Sequence, residues 1–533
     1  MRDYCYLCNN QNHVKNKKMK NLIKKYFWYG IIAIWAIVCF IFFSGFYPYH
    51  FFYQEQDQLF LWSTDYLSTY FGKPAWLACM AGDFFTQFYY YLYAGPIILT
   101  GALLTIGDLS RRDLEKIGLK KLAFPLAIIL MTIEAIFCFQ AGYRLSSLIA
   151  LAGGLFIYFI SPRTKYSPFL ILVDIILTFW LFGYGVFALA FLALVNSFTT
   201  KGKDTKFARF ACIAFPLLLL MLSKRIYLLD YDKLYAYPGL GKFQKPDFLL
   251  EKDFKAYNEY NFQHYNKVIN LVENSEERSD IMVFYYYLSQ AQTGKLPESL
   301  LKMQNPYLGT FEKIGPDTSP LIIKVMNDLY FALGDMTFAE RAATMSAVFS
   351  RENRNVKMIK RLAECNIVSG DKAAAMKYLR LLQKTFVYKK WANEQIVSID
   401  HPKGYLAEKM KFTNRMDTLR LSDNSHLIMM QLLDSNPNNE IALDYLLCSD
   451  LLLKDITHFK MDYDRYCMKN NTGRIRPLYQ QALMIYLAGT KAPKEEWEKY
   501  IKDAQQMQLF ANYNEQRGSS QFADTYWYYF DKK

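Results

Sequence analysis

Apolar residues gather in seven long stretches over the first 226 positions, and a mixed, amphipathic pattern then runs to the end of the chain. The stretches cover 26–46, 84–106, 122–141, 145–160, 168–182, 184–198 and 207–226. Several reach the ~20 apolar residues that a bilayer-spanning helix requires. The run from 168 to 198 is long for one span and short for two, and Gly183-Tyr184-Gly185 at its midpoint is the natural break. Unbroken, it would leave six spans and a cytoplasmic tail.

Charge between the stretches gives them a direction. Arg2, Lys15, Lys17, Lys18, Lys20, Lys24 and Lys25 precede the first stretch, and Arg111, Arg112, Lys116, Lys120 and Lys121 fill the 107–121 loop. Arg163 and Lys165 follow on the same side, then Lys201, Lys203, Lys206 and Arg209, while the opposite side has Lys73 and Arg144. Eighteen cations against two follow the positive-inside rule. The expectation is a basic cytoplasmic N-terminus over 1–25, a seven-span domain over 26–226 and an external remainder. Met19 is a candidate start, giving an uncleaved signal anchor with no small-residue cleavage site.

The first external loop, 47–83, opens on the aromatic run Phe46–Tyr53, suited to the membrane interface. Leu59, Trp62, Tyr66, Leu67 and Tyr70 recur at helical spacing and predict a surface helix over 59–71. Two carboxylates fall inside apolar stretches, Glu134 and Asp174. On insertion scales each costs about 2.5–3.5 kcal/mol, so such groups face a cavity or a partner. One reading is a polar cavity open to the outer leaflet, edged by Glu55, Asp57, Asp83, Gln87, Glu134 and Arg144, with Arg144 pairing Glu134. The other is that Glu134 and Asp174 are protonated or hydrogen-bonded inside the bundle, and the loop acids are solvated.

Pro238, Gly239, Gly241 and Pro246 mark 227–248 as a linker, and 249–533 reads as paired helices without strands. A weak repeat appears: Gly334-Asp335 followed by Ala339, then Gly370-Asp371 followed by Ala375, with Leu362 and Ala363 seven to eight residues before the second glycine. These residues resemble the tetratricopeptide repeat, although Asn327 stands where that repeat has a small residue. The resemblance implies an α-solenoid whose concave surface takes a protein or peptide partner. The segment from Pro437 through EIALDYLL resembles the start of another unit. Tyr257, Tyr260, Phe262, Tyr265 and Tyr285–Tyr287 read as repeat core, and the C-terminal TYWYYF docks on the solenoid or touches a membrane surface.

The 533 residues carry a net charge of +14, but the positive-inside set accounts for much of it, so nucleic acid is not an expected partner. The nine cysteines form no disulfide framework. Cys448 and Cys467 are a possible pair. Cys5-x-x-Cys8 with His13 supplies half a zinc site and no second pair follows, so neither metal nor cofactor is expected. Walker, HExxH and G-x-S-x-G motifs are absent, and the six histidines form no spaced ligand pair. The acids after the first stretch resemble those of multi-pass polyprenyl-phosphate-sugar glycosyltransferases, which implies Glu55 or Asp57 as general base or metal ligand, and Arg144 on the lipid phosphate. The QDQLFLW and DFFTQFYY segments and the helical tail resemble an uncharacterised family of bacterial multi-pass membrane proteins. The fold expected is therefore all-α: a polytopic bundle of about seven spans followed by a tetratricopeptide-like solenoid. The leading functional expectation is a non-enzymatic binding or scaffold module of the inner membrane. A lipid-linked sugar transferase and a transporter using Glu134 and Asp174 are the alternatives.

Overall fold

In the computed structural model, residues 26–161, 168–199, 205–303, 306, 308–309, 320–413, 424–468 and 476–532 are described. The basic segment 1–25, with Met19, Cys5, Cys8 and His13, lies outside them. The described residues are helical and contain no strand. Contacts divide the chain into two units, Met1–Phe248 and Leu249–Lys533.

In the first unit, two helices are long and apolar enough to cross a bilayer, Tyr26–Phe46 and Arg209–Tyr227. Four shorter apolar helices follow the expected stretches: Ala123–Phe137, Leu145–Ile160, Pro168–Phe182 and Gly185–Thr199. The last two are separate because Gly183 turns with φ +55°, a value glycine adopts without a Cβ penalty. The 84–106 stretch is not one helix. It divides into Trp76–Thr86, a 3₁₀ turn over Gln87–Tyr90, and Ala94–Lys116. Pro96 accounts for the division, since its ring has no N–H and clashes with a helical carbonyl four residues earlier. The surface helix predicted over 59–71 is also different: Leu59–Leu61 are buried and non-helical, and helix begins at Thr64. Tyr49–Gln56 is helical instead.

Glycines let backbones meet inside this unit. A Cβ on Gly154 would lie 2.1 Å from the carbonyl oxygen of Gly185, and one on Gly185 would lie 2.0 Å from that of Ala150. A Cβ on Gly82 would lie 2.7 Å from the Ser146 backbone. Segment 227–248 is not a free linker. Leu234 is fully buried, Tyr237 carbonyl accepts from the Tyr184 N–H at 3.0 Å, and Gln140 Nε2 donates to the Lys242 carbonyl at 2.7 Å.

The second unit is built from helical hairpins. Pro320–Ala332 pairs with Met336–Phe349, and Val356–Ser369 with Lys372–Leu382. Both turns use the same chemistry. Gly334 and Gly370 take φ +79° and +83°, and the following Asp335 and Asp371 cap the second helix by accepting from Phe338 N and Ala374 N. A left-handed residue that ends one helix, followed by an aspartate that starts the next, makes a tight hairpin. Ala339, Ala363 and Ala375 are fully buried and Leu362 nearly so. Asn327 occupies a small-residue position because its Nδ2 donates to the Ala339 carbonyl at 2.7 Å across the hairpin. A further hairpin, Glu440–Leu452 with Ile456–Tyr463, turns on Lys454 at φ +58° and Asp455. Its first helix is the segment after Pro437 that resembles the start of a unit, and only its turn was hidden, because lysine stands in the place of glycine.

Candidate functional sites

The first unit gathers polar groups at one end. Gln54 Nε2 donates to the carbonyls of Ala141 and Tyr143 at 3.1 and 3.0 Å, and Gln58 Nε2 donates to the Asp83 carbonyl at 3.1 Å. The Asp83 carboxylate accepts the Tyr70 hydroxyl at 2.8 Å, and Glu134 accepts that of Tyr143 at 2.6 Å. Tyr184 donates to the Ser147 carbonyl at 2.7 Å. Burial, reinforced by Asp83, pushes the Tyr70 hydroxyl well above its ordinary range, so it stays a donor. Gln58 Oε1, Gln87 Oε1 and Ser147 Oγ are buried acceptors with no hydrogen-bond partner, a costly state for a polar atom.

Glu55 is buried and Asp57 closes the Tyr49–Gln56 helix. Arg144 precedes the Leu145–Ile160 helix as its N-cap. Asp174 does not join this end. Its carboxylate accepts the Ser161 hydroxyl at 2.7 Å, and Ser161 ends the helix that begins beside Tyr143. Sixteen residues of helix, about 24 Å at 1.5 Å per residue, separate those two ends. A single path through Glu134 and Asp174 has no support in this arrangement.

In the second unit, charged side chains are buried between the hairpins. Asp328, essentially inaccessible, accepts from the Tyr285 hydroxyl at 2.8 Å, Lys357 Nζ at 3.2 Å and Arg361 Nη2 at 2.9 Å. Arg361 Nη1 also reaches Glu364 at 3.3 Å, and Glu364 accepts the Tyr405 hydroxyl. The Arg361 guanidinium lies 3.8 Å over Phe331, and Lys357 Nζ lies 3.6 Å over Tyr257. Helix Tyr405–Phe412 thus packs on Val356–Ser369. Sequence reading missed these charges because each, taken alone, looks like a solvated helix position.

Lys409 is the exception in this cluster. It is buried, donates to the Ala332 carbonyl at 2.8 Å, and no carboxylate lies within 4.0 Å of it among the described residues. Burial, and then Arg361, lower its pKa to about 7. The unfolded lysine keeps its proton to about pH 10.4. Between those values the unfolded chain binds more protons, so stability rises with pH and falls again toward pH 7. Lys409→Met should remove a slope of about 1.4 kcal/mol per pH unit. Urea unfolding of the full-length protein at intervals from pH 7 to 9 measures it, and an unchanged slope would refute the assignment.

Cys448 and Cys467 are both buried and form no disulfide, so that pair is not made. Tyr257, Tyr260 and Tyr285–Tyr287 are core. The C-terminal aromatic run docks on its own unit: Trp527 Nε1 donates to the Gln481 carbonyl at 2.9 Å and the Tyr526 hydroxyl to that of Leu451 at 2.8 Å.

Helices throughout, with a glycine-packed apolar unit and a hairpin unit closed around buried charge, define an all-helical protein of two parts. The chain belongs to the family of unknown function DUF6057, which matches residues 23–533. No curated protein and no solved structure matches it.

Proposed function

We propose that this is an integral protein of the bacterial inner membrane, with its first unit in the bilayer and its second a tetratricopeptide-like module in the cell envelope for a protein partner. The observation that carries the membrane reading is the outward face of the first unit. Ile34, Ile37, Val38 and Ile41 lie on one helix face and are 53–63 % exposed. Phe210, Ile213, Leu217 and Met221, 54–67 % exposed, do the same on the last long helix. A water-soluble helix turns such residues inward, and an apolar surface of this extent marks contact with lipid or protein. Close backbone contact at Gly154 and Gly185 is how helices associate when lipid removes the hydrophobic drive between them. The cation asymmetry supports a cytoplasmic N-terminus.

The partner reading rests on the Gly334-Asp335 and Gly370-Asp371 hairpins. Phe349, Phe386 and Val397 are exposed in this unit and offer apolar contacts for such a partner. Reporters active only outside the cytoplasm, fused after Leu240 and after Lys533, test the topology. Activity at both sites is expected. Stable but inactive fusions at both would place the second unit in the cytoplasm and overturn an envelope role.

A further inference from the structure

Three successive helices of the second unit bring one imidazole and two carboxylates to a point. His426 opens Ser425–Ser435, Asp450 sits in the last turn of Glu440–Leu452, and Asp462 lies near the end of Ile456–Tyr463. Their ligand atoms all fall within 4.8 Å of one another. His426 Nε2 stands 2.6 Å from Asp462 Oδ2 and 3.8 Å from Asp450 Oδ1.

Two features separate this cluster from an ordinary acidic patch. The first is burial. The Asp450 and Asp462 side chains are 4 % and 6 % exposed, and among the described residues no lysine or arginine lies within 4.0 Å of either. Two carboxylates this close and held out of water cannot both stay charged unaided: they share a proton through an Asp450–Asp462 hydrogen bond, or they take a cation between them. The second is an under-satisfied atom: Asp450 Oδ2 is buried and no N–H or hydroxyl donor reaches it, its carboxyl neighbour being Asp462. Spacing also fits. Ligands held at 2.0–2.2 Å by a tetrahedral ion lie about 3.3–3.6 Å apart, and the two distances to Nε2 bracket that value. Small side-chain rotations suffice to centre an ion. The His426 side chain is 28 % exposed, which leaves an entry path from solvent.

We propose that His426, Asp450 and Asp462 bind a divalent transition-metal ion, with Zn²⁺ the best fit. A nitrogen ligand beside two carboxylates selects Zn²⁺ or its first-row neighbours over Mg²⁺ and Ca²⁺, which take oxygen alone. His458 is the candidate fourth ligand. Its ring centroid is 5.7 Å from that of His426, and its Nδ1 is held by Asp455 Oδ2 at 2.6 Å, leaving Nε2 for the ion. A carboxylate that orients a ligating histidine through its other nitrogen is the usual second shell of such sites. The ion would tie together three helices that otherwise meet through side-chain packing and the His426–Asp462 hydrogen bond, and so would fix the hairpin that turns on Lys454.

The test uses full-length protein, stripped with a chelator and titrated with Zn²⁺ against a chromophoric competitor. Wild type should bind one equivalent more than Asp450→Asn or His426→Gln, or bind that equivalent more than about 100-fold tighter, above the 10–100-fold that loss of a mere orienting partner costs. Its melting temperature should rise with Zn²⁺ while that of Asp450→Asn stays fixed. Any zinc held by Cys5, Cys8 and His13 is common to all three proteins and cancels. Equal stoichiometry and affinity in wild type and Asp450→Asn would overturn the proposal and leave a charge-assisted His426–Asp462 hydrogen bond. If both variants fail to fold, the wild-type Co²⁺ spectrum decides. Visible d–d bands in excess of any thiolate-ligated component support the site, and their absence overturns it.

Discussion

Replacing Asp328 with alanine should destabilise the second unit by about 3–5 kcal/mol, the range for removing one partner of a buried ion pair. Lys357 and Arg361 both point at this carboxylate and are buried, at 7 % and 8 % exposure. Without Asp328, Arg361 retains Glu364, but Lys357 keeps only the Tyr257 ring face, and the Tyr285 hydroxyl loses its acceptor. Burial already lowers the Lys357 pKa to about 7 even with Asp328 present. The variant should therefore carry a neutral lysine across a wider pH range. Asp328→Asn, which can still accept from Tyr285, should fall between wild type and alanine. Lys357→Met should recover part of the loss in the Asp328→Ala background, because the two sites are coupled. Denaturant unfolding of the full-length protein, followed by tyrosine fluorescence, reads all four. A loss under about 1 kcal/mol for Asp328→Ala would match an exposed pair and would mean that this interior is open to water.

Gly334→Ala should be far more damaging than Gly370→Ala, although both glycines hold the same turn. Each has a left-handed backbone, at φ +79° and +83°, which costs a residue with a Cβ about 1–2 kcal/mol. Gly370 has nothing within 4 Å of an added Cβ, so the backbone term is the whole cost. At Gly334 the Cβ would lie 2.5 Å from the Phe412 carbonyl oxygen, and moving that backbone adds the 1–3 kcal/mol typical of overpacking. Total losses of about 2–5 kcal/mol for Gly334→Ala and about 1–2 kcal/mol for Gly370→Ala follow. Equal midpoint shifts in thermal unfolding would show that helix Tyr405–Phe412 does not seat against this turn.

The two glycines also mark what a sequence can and cannot disclose. Gly-Asp at a fixed distance from a buried alanine is local chemistry: one residue accepts a left-handed φ and the next caps a helix. Both turns were legible for that reason, and so was the break at Gly183. The turn at Lys454-Asp455 was not, because lysine enters the left-handed region only where the surrounding fold holds it. The predicted surface helix over 59–71 failed in a related way. Its apolar spacing suited a helix, but Leu59, Phe60 and Leu61 are all buried in a non-helical segment.

Periodicity and turn chemistry determined that this chain is helical, and they located the turns at Gly183, Gly334 and Gly370, since those depend on neighbours within a few positions. Charge counting and apolar length carried the membrane proposal, which draws further support from the outward apolar faces. Tertiary structure alone decided which polar groups meet. Glu134 finds Tyr143 while Asp174 is held by Ser161 at the far end of a helix. Asp328 is shared by three donors from two other helices. His426, Asp450 and Asp462 converge from 36 positions of sequence. A charged side chain on a helix looks the same in sequence whether it faces water or a partner, because the difference lies in what packs against it, and only the folded chain supplies that.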